Sequence, residues 1–150
     1  KRRGGTENVA AIAGFLAAIN IAQDGIEEKQ KQYSRFKKII IDELKQGDIS
    51  FQINGSLENS LPHVLNLSFP GTDVEAMLVN LDLAGIAVSS GSACTAGSID
   101  PSHVLVAMFG NESERLRNAI RFSFGLNNTE AEVKKAAQET LKIVKRLTSK

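Results

Sequence analysis

Apolar side chains at Ile19, Ala22, Ile26, Tyr33, Phe36, Ile40 and Leu44 fall mostly at three- and four-residue steps, the spacing of one face of an α-helix. The pattern predicts helix from residue 6 to about residue 46, stopped by Gly47. Gly14 and Gly25 sit inside this run and weaken it, so a break or bend is expected at Asp24-Gly25, where two structural units would meet. Residues 49–53 and 64–69 then have strand character, the second ending in a turn at Pro70-Gly71. Thr72 with Glu75 three positions on resembles a capping box for a helix whose apolar stripe is Val74, Met77, Leu78 and Leu81, with Gly85 as its stop. A short strand is predicted over residues 86–88. Asp100 as N-cap and Pro101 at the first helical position predict a further helix through Val104, Leu105, Ala107 and Met108 to Gly110. Residues 119–124 alternate as a strand. Thr129 and Glu132 cap a last helix carrying Val133, Ala137, Leu141, Val144 and Leu147 on one face.

Helices and strands that interleave in this way predict a layered α/β or α+β domain rather than a bundle or sandwich. With 42% hydrophobic residues among 150, the chain can bury one respectable core. Eighteen basic residues against seventeen acidic ones, spread along the chain, give no electrostatic footprint for direct nucleic-acid contact or an anionic membrane, leaving small molecules or proteins as partners. The single cysteine cannot form an internal disulfide, and no run of about eighteen apolar residues occurs, which together predict a cytoplasmic protein. The chain opens Lys1-Arg2-Arg3 and enters a helical pattern within a few residues, as a fragment with its beginning further upstream would. His63 and His103 are the only histidines, and with one cysteine and no clustered carboxylates no metal site is predicted. They are assigned to a strand entry and a helix start.

Chemistry concentrates in three places. Ser89 to Ser98 is a run of small residues around Cys94, with no large apolar side chain to bury the thiol. A lone cysteine is ordinarily an inert core residue. Here the glycines and serines predict a loop in which the sulfur can swing, and His103 or the helix start at Pro101 would favour thiolate if folded nearby. Gly4-Gly5-Thr6 offers backbone N–H groups and a hydroxyl at a helix start, a combination that suits a phosphate, although the residues alone favour reading the threonine as an ordinary N-cap. In the strand over 119–124, Ile120, Phe122 and Phe124 share one face and leave Arg121 and Ser123 on the other. Arg121 is there either solvated or free to clasp a carboxylate through two parallel hydrogen bonds.

Ser89-Ser90-Gly91-Ser92-Ala93-Cys94-Thr95, followed by Pro101-Ser102-His103-Val104-Leu105, resembles the active-cysteine loop of NifS/IscS-like cysteine desulfurases, in the class with a long mobile loop. Arg3-Gly4-Gly5-Thr6-Glu7-Asn8-Val9 is similar to the family segment that follows the lysine-bearing region, and Ile120-Arg121-Phe122-Ser123-Phe124-Gly125 to its C-terminal arginine strand. The resemblance implies the C-terminal small domain of a fold-type I pyridoxal-phosphate transferase over residues 24–150, preceded over residues 1–23 by the end of the large domain. It implies a homodimer in which Thr6 reaches pyridoxal 5'-phosphate bound in the neighbouring subunit, Arg121 holds the carboxylate of L-cysteine, and Cys94 takes the sulfur as a persulfide, leaving L-alanine. Sulfur-acceptor proteins, such as an iron–sulfur scaffold or a tRNA-thiolation enzyme, are the implied partners. The cofactor-bearing lysine is expected N-terminal to residue 1, since Lys1 does not match it, so the chain alone is expected to be inactive. Ala10 stands where many relatives have proline. A selenocysteine lyase needs much the same site, and a stand-alone persulfide carrier or protein-binding module would need only Cys94.

Overall fold

The computed structural model describes residues 5–91 and 101–149. Asn8 starts the first helix, α1 (Val9–Gln23), its side-chain oxygen accepting from the Ala11 N–H. Thr6, one of the two readings of which was a cap, stands two residues ahead of that cap. α1 buries none of its residues, and Val9, Ile12, Phe15, Leu16 and Ile21 are all exposed. At the expected break, Gly25 turns the chain with φ +73°, a left-handed conformation that favours glycine, and α2 (Ile26–Gln46) continues at a bend of 56°. No single helix among the described residues is long and apolar enough to cross a membrane.

α2 seats Phe36, Ile40, Ile41 and Leu44 in the core. Lys37 is buried beside them and donates from Nζ to Ser60 Oγ at 2.9 Å and to the Leu61 carbonyl at 2.8 Å, which pins the loop before β2; burial lowers its pKa from the ordinary lysine value. Gly47 ends α2 as predicted, although its φ of −77° suits any residue. A Cβ there would collide with the side chain of Leu141, and the left-handed step falls instead on Asp48, at φ 54°. A side chain at this position would therefore have to displace Leu141, whereas the backbone conformation itself places no demand for glycine.

The described strands β1 (Gln52–Ile53), β2 (Val64–Ser68) and β3 (Ala119–Ser123) form an antiparallel sheet in that order. β1 is shorter than the predicted 49–53, because β2 turns away at Pro70-Gly71 and leaves residues 49–51 no ladder to join. Leu65 and Leu67 pair across from Phe122 and Ile120, and all four are buried on one face with side chains from α2, α3 (Val74–Leu83) and α5 (Glu130–Thr148). The opposite face carries Asn66 against Arg121, and α4 (His103–Phe109) lies over it, lining with them a common cleft. The layered helix-and-sheet reading thus stands.

Three local readings are corrected. Asp73, not Thr72, caps α3: its carboxylate accepts from the Glu75 and Ala76 N–H groups, while the Thr72 hydroxyl donates to the Phe69 carbonyl inside the preceding turn. Residues 86–88 form no ladder, because the chain folds back onto the end of α3 through Ile86 N–H to the Leu81 carbonyl and meets β3 only at a single Ser89–Arg121 bridge. α4 is capped by Ser102, two residues after Asp100, which lies outside the described residues. A short 3-10 turn at Glu114–Arg117 was not foreseen.

The α5 capping box is present in both directions, with Thr129 N–H donating to Glu132 Oε2 at 2.8 Å and the Glu132 N–H donating to the Thr129 hydroxyl at 3.3 Å. The bond from the Thr129 backbone, then that from its hydroxyl, hold the Glu132 carboxyl below its ordinary pKa. A depressed acid stabilises the fold at neutral pH and loses that contribution as pH falls through the folded-state value. Thr129→Ala is expected to cost about 1 kcal/mol by urea unfolding at pH 7. The cost should shrink as pH falls through the folded-state value and Glu132 becomes protonated in both proteins.

Candidate functional site

β2 and β3 place Asn66 and Arg121 side by side because period-two alternation turns their apolar neighbours into the core. Asn54, just past β1, continues the row, its N–H donating to the Asn66 carbonyl at 3.0 Å. This polar row floors a cleft of about 250 Å³, and Val104, Leu105 and Met108 of α4 form its wall. Leu105 is buried, whereas Val104, Met108 and His103 are exposed at the rim.

Arg121 is held at several points. Its N–H donates to the Ser89 carbonyl at 2.7 Å and its carbonyl accepts from the Ser89 N–H at 3.2 Å. Its Nη1 donates to the Gly91 carbonyl at 2.8 Å, and among the described residues no other acceptor takes a hydrogen bond from the guanidinium. An arginine always carries its charge and presents five N–H donors in a rigid fork, so this half-buried head retains the capacity to clasp a small carboxylate or phosphate.

Gly91, at φ +65°, approaches Ser102 so closely that a Cβ on it would lie 3.6 Å from the Ser102 Cβ. Gly91 and Ser102 both line the cleft, so the chain leaves and re-enters the described structure at its rim, close to Arg121. Cys94 itself lies outside the described residues. Thr6 does not line the cleft. It is exposed ahead of α1, next to Gly5 at φ +127° with open space where a Cβ would be. An exposed hydroxyl with accessible backbone fits a phosphate approached from another surface better than one enclosed by this chain. Among the described residues no lysine lines the Arg121 cleft, and no group of three His, Cys, Asp or Glu side chains is placed to hold a metal.

Sequence reasoning did not pick out Asn54, Asn66 or Arg115. Arg115 Nη1 donates to Asn54 Oδ1 at 3.0 Å, and Asn54 Nδ2 donates to Asn66 Oδ1 at 2.7 Å and to Ser68 Oγ at 2.8 Å. The Arg115 guanidinium also sits 4.3 Å over the ring of Phe109 at the end of α4. The available signal was the polar member of the β2 alternation, Asn66 between Leu65 and Leu67. Arg115 and Asn54 are far apart in the chain and meet only in the fold.

Residues 1–136 match the family described as aminotransferase class-V. A Bacillus subtilis protein provisionally named cysteine desulfurase IscS 1 is 59% identical over 148 residues, covering 99% of this chain and 39% of its own length. A cysteine desulfurase of Gluconacetobacter diazotrophicus is 42% identical over 136 residues, covering 88% of this chain and 33% of that protein. Among solved structures, a NifS-like protein superposes with a TM-score of 0.74 at 30% identity, covering 96% of this chain and 36% of the other. A NifS-like protein from Rickettsia africae gives 0.66 at 31% identity, covering 97% and 36%. The chain therefore spans about a third of the length of these relatives, between 33% and 39%.

Proposed function

We propose that this chain, which belongs to the aminotransferase class-V family, is the C-terminal part of a pyridoxal-phosphate-dependent cysteine desulfurase. On this reading residues 1–23 close the large domain and residues 24–150 form the small domain. The bare apolar face of α1 supports that division, since it is the surface a further domain would cover. The observation that carries the function is the position of Arg121: a half-buried guanidinium whose cleft is rimmed by both residues, Gly91 and Ser102, that flank the stretch containing Cys94. A carboxylate anchor and a nucleophile on neighbouring chain are what a reaction on a small amino acid needs.

Arg121 binds the carboxylate of L-cysteine and fixes its orientation. The thiolate of Cys94 attacks the substrate sulfur; a sulfur–sulfur bond forms, the substrate carbon–sulfur bond breaks, and the carbon gains a proton to leave as L-alanine. L-Cysteine and the enzyme thiol are thereby converted to L-alanine and an enzyme persulfide, with atoms and electrons balanced. When bound, pyridoxal phosphate supplies the electron sink that makes the carbon–sulfur bond labile. Thr6 contributes its hydroxyl to the phosphate of the cofactor in the neighbouring subunit of a homodimer, and the persulfide is passed to a sulfur-acceptor protein, such as an iron–sulfur scaffold or a tRNA-thiolation enzyme.

The direct test incubates the full-length, cofactor-loaded protein with L-cysteine. Equal amounts of L-alanine and protein-bound sulfane sulfur are expected in the first turnover without an acceptor. Cofactor-loaded protein that forms neither would overturn the reading.

A further inference from the structure

The hydrogen-bond chain that runs into the cleft has a direction set at its far end. Arginine only donates, so the atom of Asn54 that meets Arg115 Nη1 at 3.0 Å must be its carbonyl Oδ1. The other end of the Asn54 amide is therefore the donor Nδ2. The Asn66 atom 2.7 Å from it must then be the acceptor Oδ1, which leaves Asn66 Nδ2 as a donor with no partner among the described residues. Asn54 Nδ2 also reaches Ser68 Oγ at 2.8 Å, so both of its hydrogens are used in holding this arrangement. A flipped Asn66 would set two donors against each other.

Asn66 is the direct cross-strand partner of Arg121, and both line the same cleft. Nonhydrogen-bonded and hydrogen-bonded pairs alike bring such neighbours within about 5.5 Å at the backbone. The oriented amide therefore adds a neutral N–H beside a guanidinium that already gives Nη1 to Gly91. A carboxylate bound there has two oxygens and about four lone-pair sites, more than the remaining face of one arginine fills.

We propose that Asn66 is a second carboxylate-binding residue, donating Nδ2–H to the carboxylate clasped by Arg121, with Asn54 and Arg115 as positioning residues that keep its donor toward the cleft. This rests on the reading of Arg121 as the carboxylate anchor. The neutral donor recognises a carboxylate without raising the positive charge of the cleft, which favours a substrate with one carboxylate over a dianion.

The test is a spectral titration of the bound cofactor in the full-length holoenzyme, comparing L-alanine with L-alaninamide, which lacks the negative charge. Asn66→Asp keeps the shape and replaces the donor by an acceptor. It is expected to weaken L-alanine binding by about tenfold or more, the size of a hydrogen bond to a charged group, with less than about a twofold change for L-alaninamide. Arg115→Met, outside the cleft, should erode the same preference by about two- to fivefold by freeing the Asn54 and Asn66 amides to flip. An unchanged L-alanine to L-alaninamide ratio in both variants would overturn the proposal. Arg121→Gln separates the two claims: if it abolishes the ratio while the Asn66 and Arg115 variants do not, only the role of Asn66 fails; if it leaves the ratio intact, the carboxylate anchor itself is wrong.

Discussion

Cys94→Ser in the full-length, cofactor-loaded protein is expected to reduce L-alanine formation from L-cysteine by on the order of a thousandfold or more, because a serine hydroxyl stays protonated near neutral pH and is a poor nucleophile toward sulfur. Intact mass after exposure to L-cysteine should show one added sulfur on the parent protein and none on the variant. The absorbance change of the bound cofactor on adding substrate should persist in the variant, since Cys94 acts after L-cysteine is bound. Undiminished alanine release from the variant would remove Cys94 from the chemistry. A parent that acquires sulfur only from another persulfide donor, and never from L-cysteine, would make the protein a carrier.

Arg121→Gln should lower kcat/KM for L-cysteine by about a hundredfold, the cost of replacing a two-pronged charged contact by at most one neutral hydrogen bond. Most of the loss is expected in KM. Arg121→Lys should recover little, since a lysine ammonium cannot reproduce the planar fork. The variant must also be checked for folding, because Arg121 ties its side chain to Gly91 and its backbone to Ser89. The backbone bonds survive any substitution, and the lost bond to Gly91 lies at the cleft rim rather than in the core. Circular dichroism and melting temperature are therefore expected to stay close to those of the parent. A variant that folds normally and keeps its KM for L-cysteine would show that Arg121 does not hold the carboxylate.

Much of this architecture is legible in one dimension, where local rules and tertiary packing agree. The apolar steps of α2, the Asp24-Gly25 break, the alternation that turns Arg121 away from the core and the Thr129–Glu132 box all appear where the pattern puts them. Each depends on side chains within about four residues, or on a periodicity that has one buried solution. The errors fall where several local solutions compete. Thr72, Asp73, Asp100 and Ser102 are all acceptable caps by type, and only the path of the preceding chain decides which side chain reaches the first free N–H groups. Likewise α5 buries Thr140 and Ile143 beside the predicted Val133, Ala137 and Val144, because α2 and α3 both pack against it and the buried face is wider than a single stripe.

For the site, residue order alone supplies the chemical types: a lone thiol in a run of small residues, an arginine on the polar side of a strand, a threonine after two glycines, and their resemblance to one family. Those are properties of residue identity and order, and they carry over without coordinates. Folding in three dimensions is what brings Gly91 and Ser102 together at the mouth of the Arg121 cleft, sets Thr6 apart from it, and joins Arg115, Asn54 and Asn66 in one directed chain of hydrogen bonds. Arg115 and Asn54 are separated by 61 positions, and no periodicity links residues so distant. They are brought together by the pairing of β1 with β2 and β2 with β3, whose register is fixed because a one-residue slip would turn Leu65, Leu67, Ile120 and Phe122 out of the core.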